Sequence, residues 1–186
     1  EKETGKILSI GFQPRFDDDM KIVKKVVKSG VLGKIYYIQT GGGRRRGIPV
    51  TTSKTTFVRD ETAGIGALGD IGCYALDVVL NALNYPKPLT VTGEAFCKVG
   101  KRIPEYVYPG QTWAGPPILD GTYDVDDSVT ALIRTEGPTI TVNGAWAQNV
   151  KNEEMFIDFM GDKGGCRIDY YTKEFTVYTT KDGELY

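Results

Sequence analysis

Apolar residues recur at helical spacing in two early segments of the chain. The first segment follows three acidic residues at 17–19, where a helix N-terminus favours negative charge, and it ends at Gly30. Its apolar positions are Ile22, Val23, Val26 and Val27, with lysines at 21, 24, 25 and 28 on the other face. This pattern predicts an amphipathic surface helix.

The second helical pattern runs from about Ala67 to Leu83 and is followed by two prolines. No Lys, Arg or Glu occurs between Thr62 and Pro86, so we expect this helix to be mostly buried. Its few polar residues fall on one narrow stripe: Asp70, Tyr74, Asp77 and Asn81. Such a stripe predicts either the wall of a cleft or a structural hydrogen-bond network.

Strand-like stretches make up most of the remaining chain. They are Lys6–Phe12, Lys34–Thr40, Thr90–Val99, Ser128–Thr135, Thr139–Ala147, Met155–Met160 and Glu174–Thr179. Short turns at 136–138 and 161–165 join the late strands, which favours antiparallel pairing. We therefore expect an α+β fold: a largely antiparallel, open-faced sheet with helices packed on one face, forming a single domain over residues 1–186.

Composition removes several classes of function. The chain has 23 Lys plus Arg against 24 Asp plus Glu, a net charge of -1, so nothing attracts it generally to nucleic acid or an anionic membrane. It has no histidine, which excludes His-dependent catalytic triads and His-containing metal sites. No apolar run reaches the roughly 18 residues needed to cross a bilayer, and no signal peptide opens the chain.

The three cysteines, Cys73, Cys97 and Cys166, are far apart and form no Cys-x-x-Cys pair. We expect no metal site and interpret them as incidental thiols of a cytoplasmic protein. The run Arg44–Arg46 lacks the interleaved aromatic residues of a nucleic-acid site. It is either a solvated, ion-paired loop or a contact for an anionic substrate or cofactor phosphate. Residues 100–124 form a long loop whose Trp113 and tyrosines either stack on a sugar or anchor the loop.

Residues 64–69 spell Gly-x-Gly-x-x-Gly, a pattern found in dinucleotide-binding folds. In those folds the glycine pattern follows a buried strand and precedes a helix, so that the pyrophosphate binds at the helix N-terminus. The preceding residues 57–63 are too charged for a central parallel strand, and no βαβ pattern follows. We therefore expect these glycines to permit close approach of the backbone to a neighbouring element or a ligand.

The segment Gly64–Asp77 resembles a signature of the glucose–fructose oxidoreductase / inositol dehydrogenase (Gfo/Idh/MocA) family. Further blocks match in the same order: residues 11–16, 29–34, 44–49, 126–127, 146–148 and 161–165. All of them belong to the C-terminal substrate-binding and oligomerisation domain of that family. The chain looks like that half of a longer protein, without the nucleotide-binding domain.

The resemblance implies an NAD(P)-dependent oxidoreductase that acts on a sugar, polyol or related hydroxyl or carbonyl compound. It implies NAD or NADP as cofactor, bound mainly outside this chain, so we expect the isolated chain to be inactive. It also implies self-association of the protein through the open face of the sheet, which we expect to be apolar and rich in tyrosine.

The family's usual Asp-x-x-x-His motif maps onto Asp70 and Tyr74, so tyrosine replaces the histidine, as in its glucose–fructose oxidoreductase branch. By this resemblance Tyr74 donates or accepts the substrate proton and Asp70 orients Tyr74 or the substrate. Asp77 and Arg15 contact substrate hydroxyls, or each has a structural role in a buried salt bridge or as a cap. The alternative is a non-catalytic, ligand-sensing or regulatory member of the same family. Replacement of His by Tyr is also expected in an active site that has lost its catalytic activity.

Overall fold

The computed structural model describes residues 1–47, 57–107 and 116–186. Its helical elements are a 3-10 turn at Gln13–Phe16, α1 at Asp18–Ser29, α2 at Asp60–Ala63, a π-helical turn at Leu68–Gly72, α3 at Cys73–Ala82 and α4 at Ile103–Tyr106. Its strands are β1 Ile35–Gly43, β2 Pro88–Phe96, β3 Ser128–Thr135, β4 Thr139–Ala145, β5 Glu154–Gly161, β6 Gly164–Asp169, β7 Phe175–Lys181 and β8 Glu184–Leu185.

The strands form one mixed sheet in the order β2-β3-β4-β1-β5-β6-β7-β8. Strands β1 and β4 pair in parallel, and the other pairings within the described residues are antiparallel. The expected α+β class with a largely antiparallel sheet is therefore confirmed. The parallel pair at its centre was not foreseen, because the two strands lie about one hundred residues apart in the sequence and no local pattern links them.

Helices α1 and α3 cover one face of this sheet. The main core combines Val23 of α1 and Val79 of α3 with inward-facing strand residues such as Ile38, Ile140 and Phe159. A second core cluster lies around the glycine-rich segment: Val58, Ala67, Ile71, Ile103, Tyr106, Tyr123, Val125, Trp146 and Ala147. The alternation along β4, with Ile140 and Val142 buried, is what a sheet covered on one side requires.

The opposite face of the sheet carries no helix among the described elements. The expected apolar, tyrosine-rich surface is interspersed with polar and charged side chains such as Thr130 and Arg134, which alternate along β3 with residues packed against the core. Leu132 and Tyr178 are exposed there, while the Arg167 guanidinium stacks 3.8 Å from the ring centroid of Phe156. The Tyr37 hydroxyl and the Thr141 hydroxyl lie 2.8 Å apart on the same face.

The predicted strand at Lys6–Phe12 is wrong. These residues have no regular structure, and Ile7 and Leu8 are 90% and 74% exposed. The composition favours a strand, but a strand exists only when a neighbour completes its hydrogen bonds. Nowhere in the described part of the chain does a strand pair with this segment.

Strand β6, Gly164–Asp169, is absent from the predicted strands, because the sequence pattern of residues 161–165 predicts a turn throughout. The turn is confined to Asp162 and Lys163, and β5 and β6 pair directly on either side of it as a hairpin. Alternation of Cys166 and Ile168 toward the core supplies the burial that holds this glycine-containing strand in the sheet.

The segment Asp60–Ala82 is long and apolar enough to cross a membrane by length and composition alone, with a mean hydropathy of 1.5 over its best 18-residue window. The expectation that no such segment exists is therefore wrong. In the structure Gly64 interrupts this segment in a left-handed conformation with φ of 68°. Its C-terminal part, α3, packs Val78, Val79 and Ala82 into the core, which accounts for its hydropathy.

The long loop at 100–124 is partly helical, since it contains α4. Tyr106 of α4 is fully buried and Tyr123 nearly so, and their ring centroids lie 5.7 Å apart. These two tyrosines therefore anchor the loop to the second core cluster. Tyr108 and Trp113, the other aromatic residues considered for sugar stacking, lie outside the described residues.

Candidate active site

Asp70 and Tyr74 border one open cleft of about 280 Å³. Phe57, Ala63, Ile65, Gly66 and Gly69 form the rest of its described lining. Asp70 lies in the π-helical turn and Tyr74 in the first turn of α3, one helical turn further along. Since π-helical turns inside helices occur frequently at functional sites, this local irregularity supports a functional role for the cleft.

The carboxylate of Asp70 is held by an indole. Trp146 Nε1 donates a hydrogen bond to Asp70 Oδ2 at 2.8 Å, and the Trp146 side chain is fully buried. Sequence reasoning placed Trp146 in a family-like block but gave it no role. The available signal was a tryptophan directly after a core strand, because a buried indole N–H needs an acceptor.

Arg15 and Asp77 bind each other. Arg15 Nε donates to Asp77 Oδ2 at 3.0 Å, and a second bond joins Arg15 Nη2 to Asp77 Oδ1. The hydrogen bond that Arg15 donates to Asp77 is the largest cause of the raised pKa of the Arg15 guanidinium. The pair ties the 3-10 turn before α1 to α3, and neither residue is among the described lining of the cleft.

The lower part of the polar stripe is likewise structural. Asn81 accepts a hydrogen bond from Lys24 Nζ at 2.6 Å, which joins α3 to α1. The stripe therefore contains both arrangements predicted from the sequence: a cleft wall at Asp70 and Tyr74, and a network at Asp77 and Asn81. The ring of Phe12 connects the two parts, since it lies edge-on to Tyr74 at 6.3 Å and beneath Arg15 at 5.7 Å.

The Gly-x-Gly-x-x-Gly segment does not fit a pyrophosphate. The backbone N–H groups of Gly66 and Leu68 donate to the Asp126 carboxylate at 2.6 and 2.9 Å, where a phosphate would otherwise accept them. A Cβ at Gly66 would lie 2.0 Å from the Asp126 carbonyl oxygen. The glycine therefore permits close approach of the chain's own backbone, as expected, and an acidic side chain repels an anion from the same donors.

The arginine run lies beside a groove of about 410 Å³ whose described lining includes Arg45, Arg46, Glu105, Tyr106 and Glu153. The Arg46 guanidinium stacks on Tyr106 at 5.8 Å and donates to Asn149. Glu153 accepts a hydrogen bond from the Arg45 amide at 2.6 Å. These contacts favour a loop held by the chain's own side chains; contact with an anionic substrate or cofactor phosphate stays a prediction.

Two other kinds of chemistry find no support around the cleft. Cys73, next to Tyr74, has a thiol whose pKa is raised, first by burial and then by Asp70, so it is a poor nucleophile. Across the residues described, no group of three or more Cys, Asp or Glu side chains is placed to hold a metal ion. What the cleft offers is a phenol and an oriented carboxylate, the groups used in proton transfer and in binding hydroxyls.

Residues 20–167 match the family model of the GFO/IDH/MocA C-terminal domain. The chain belongs to the Gfo/Idh/MocA family. One relative is the D-glucoside 3-dehydrogenase of Escherichia coli (strain K12), 31% identical over 99% of this chain and 49% of the relative. Another is a putative UDP-kanosamine synthase oxidoreductase subunit of Amycolatopsis mediterranei (strain S699), 25% identical over 88% of this chain and 44% of the relative.

Solved structures of Gfo/Idh/MocA C-terminal domains share the fold. A levoglucosan dehydrogenase in complex with NADH and L-sorbose matches 92% of this chain and 42% of its own, with a TM-score of 0.72 and 21% identity. An aldose-aldose oxidoreductase from Caulobacter crescentus complexed with glycerol covers this whole chain and 48% of its own, with a TM-score of 0.68 and 22% identity. The chain thus spans about half the length of its curated relatives.

Proposed function

We propose that this Gfo/Idh/MocA domain is the substrate-binding half of an NAD(P)-dependent oxidoreductase that acts on the CH–OH group of a sugar or related compound. The observation that carries the proposal is the shared cleft of Asp70 and Tyr74. A phenol and a carboxylate fixed by a buried indole suit a reaction in which a hydroxyl proton must be moved. Relatives named as D-glucoside 3-dehydrogenase and aldose-aldose oxidoreductase point to the substrate class.

In this proposal the chain supplies the acid–base and binding groups. During oxidation Tyr74 in its phenolate form takes the proton of the substrate hydroxyl and becomes a phenol, and during reduction the phenol gives a proton back. Asp70 accepts a hydrogen bond that orients the substrate or Tyr74. The nicotinamide supplies hydride transfer when it is bound. Because Asp126 occupies the N–H donors of the glycine segment, the cofactor's phosphates are held outside that segment, and the isolated chain is inactive.

Arg15 and Asp77 are proposed as secondary substrate contacts. The Arg15 side chain is 29% exposed, so part of the guanidinium remains accessible although it is paired with Asp77. Arg15 also stacks on Phe12, whose ring contacts Tyr74. A substrate that extends along the stripe from the cleft would meet this edge of the ion pair.

The decisive test is Tyr74→Phe in the longer protein that carries this chain, assayed with NAD or NADP and a D-glucoside. We expect kcat to fall by about 100-fold, the lower end of what a general acid–base residue contributes. Tyr171→Phe, which removes an exposed phenol in the turn after β6, is the matched control and should leave kcat unchanged. Full hydride-transfer activity in Tyr74→Phe would overturn the proposal.

The second candidate is a ligand-sensing member without catalysis, which the replacement of histidine by Tyr74 favours. The same samples separate the two functions. A sensor binds the sugar, measured by calorimetry, but the unmodified protein reduces no NAD or NADP in its presence. An oxidoreductase both binds the sugar and reduces the cofactor.

We also propose that two copies of the protein meet through the open face of the sheet. Exposed Leu132 and Tyr178 support this arrangement, since they place apolar and aromatic surface on a face that the described helices leave uncovered. Sedimentation equilibrium should show dimers or larger assemblies that Leu132→Asp weakens. Ile22→Asp, exposed on the helix side, is the control; equal effects of both changes would refute this interface.

A further inference from the structure

Trp146, which binds Asp70, is itself held in place by its backbone and by its buried ring. It follows β4 directly, and its backbone N–H donates to the Asp127 carbonyl at 2.8 Å. Its carbonyl accepts a hydrogen bond from the Gly47 N–H at 2.7 Å. Since its ring is fully buried in the second core cluster, the indole N–H has one fixed direction.

That direction points at Asp70. The indole N–H is a donor only, so the 2.8 Å bond requires an oxygen acceptor, and Asp70 Oδ2 supplies it. One carboxylate oxygen is thereby fixed in place, and rotation of the side chain would break the bond. Asp70 itself borders the cleft beside Tyr74, so the orientation imposed from the core reaches the cleft.

We propose that Trp146 is a positioning residue, which holds the Asp70 carboxylate in the orientation that Tyr74 and the substrate hydroxyl require. This inference rests on the proposed function of the Asp70–Tyr74 cleft. It goes beyond that function by assigning the orientation of Asp70 to a side chain that is buried in the core and is not among the described lining of the cleft. Rates of reactions on bound substrates fall steeply, by up to about 100-fold, when a reacting group is misplaced by about 1 Å.

The kinetic test is Trp146→Phe in the longer protein that carries this chain. Phenylalanine keeps an aromatic ring in the core but removes the N–H donor, so we expect kcat to fall about tenfold while KM changes by less than about twofold. Tyr123→Phe is the matched control, because it removes a polar group from the same core cluster without a bond to Asp70. It should leave both constants unchanged.

A double-mutant cycle separates positioning from general loosening of the structure. If Trp146 acts through Asp70, then Trp146→Phe should lower kcat no further in a protein that already carries Asp70→Ala. An equal loss of kcat in both backgrounds would mean that the tryptophan is merely structural and would overturn the proposal.

A spectroscopic test needs no activity. The chain has two tryptophans, Trp113 and Trp146, so its ¹⁵N-labelled form gives two indole N–H resonances, assigned by the loss of one in Trp146→Phe. Asp70→Ala should shift the Trp146 resonance and speed its exchange with solvent; Tyr123→Phe should do neither. An unmoved resonance refutes the hydrogen bond. The proposed function is judged separately by Tyr74→Phe.

Discussion

Tyr170 shows at the scale of single residues how a buried polar atom affects stability. Its hydroxyl is buried without a hydrogen-bond partner among the described residues, and burial raises the pKa of this phenol. Burying a hydroxyl without a partner costs free energy, because the bonds to water are lost and none replaces them.

We therefore expect Tyr170→Phe to increase the free energy of unfolding by about 1 kcal/mol in urea denaturation at pH 7. A phenol whose pKa is higher in the folded state binds its proton more tightly there, so the unchanged protein loses stability as the pH rises above about 10. The gain from Tyr170→Phe should accordingly widen above that pH. Tyr171→Phe, at an exposed neighbour, is the control, and a loss of stability in Tyr170→Phe would contradict this explanation.

Individual site residues could be found from the sequence only where local spacing carries the information. Asp70 and Tyr74 are four residues apart on one helix, so helical periodicity alone places them on one stripe. The partner of Asp77 is 62 residues away and that of Asp70 is 76 away, and no local rule predicts which cation or indole reaches which carboxylate. Those contacts are determined by tertiary packing.

At the scale of elements, the conformation of the glycine segment at residues 64–69 depends on Asp126, which lies two residues before β3. The Asp126 carbonyl also accepts the Ala67 N–H at 3.0 Å, so backbone and carboxylate together hold the start of the π-helical turn. This arrangement leaves no room for a side chain at Gly66.

Gly66→Ala should therefore destabilise the protein by about 1–3 kcal/mol, the usual cost of forcing an extra group into a packed site. Thermal unfolding followed by circular dichroism measures the effect. Gly11→Ala is the control, because a Cβ at Gly11 meets nothing within 4 Å and Gly11 has no positive φ. Equal stability of the two variants would show that the backbone around residue 66 can shift to accept a Cβ at no cost in free energy.

The elements that sequence patterns mispredicted have one cause in common. Lys6–Phe12 has strand-forming residues but no strand beside it, whereas Gly164–Asp169 has two glycines but pairs on both sides with β5 and β7. Strand formation depends on partner strands outside the segment itself, so composition decides less than it does for a helix such as α1. Helix α1, whose hydrogen bonds are local, was predicted nearly to its ends. The second predicted helix is confirmed as a helical stretch, but its first part, Leu68–Gly72, is π-helical and α3 begins only at Cys73.

At the scale of the whole molecule, the proposal that the cofactor is held mainly outside this chain leads to a prediction for cofactor binding. Because the described chain satisfies the donors of its glycine segment internally, we expect no saturable binding of NADH or NADPH to this chain up to about 1 mM, a free energy weaker than about -4 kcal/mol. Nicotinamide fluorescence and calorimetry would measure it. Binding at micromolar concentration would mean that Asp126 gives way to a phosphate, contrary to the proposed division of roles.

The position of β1 at the centre of the sheet also determines when the molecule can fold. This strand ends at Gly43, but its neighbours β4 and β5 begin at Thr139 and Glu154. At a synthesis rate of about 5–20 residues per second, β1 leaves the ribosome several seconds before either partner exists. Throughout that interval both of its edges are open to other chains, so the residues of β1 are where aggregation during biosynthesis would begin.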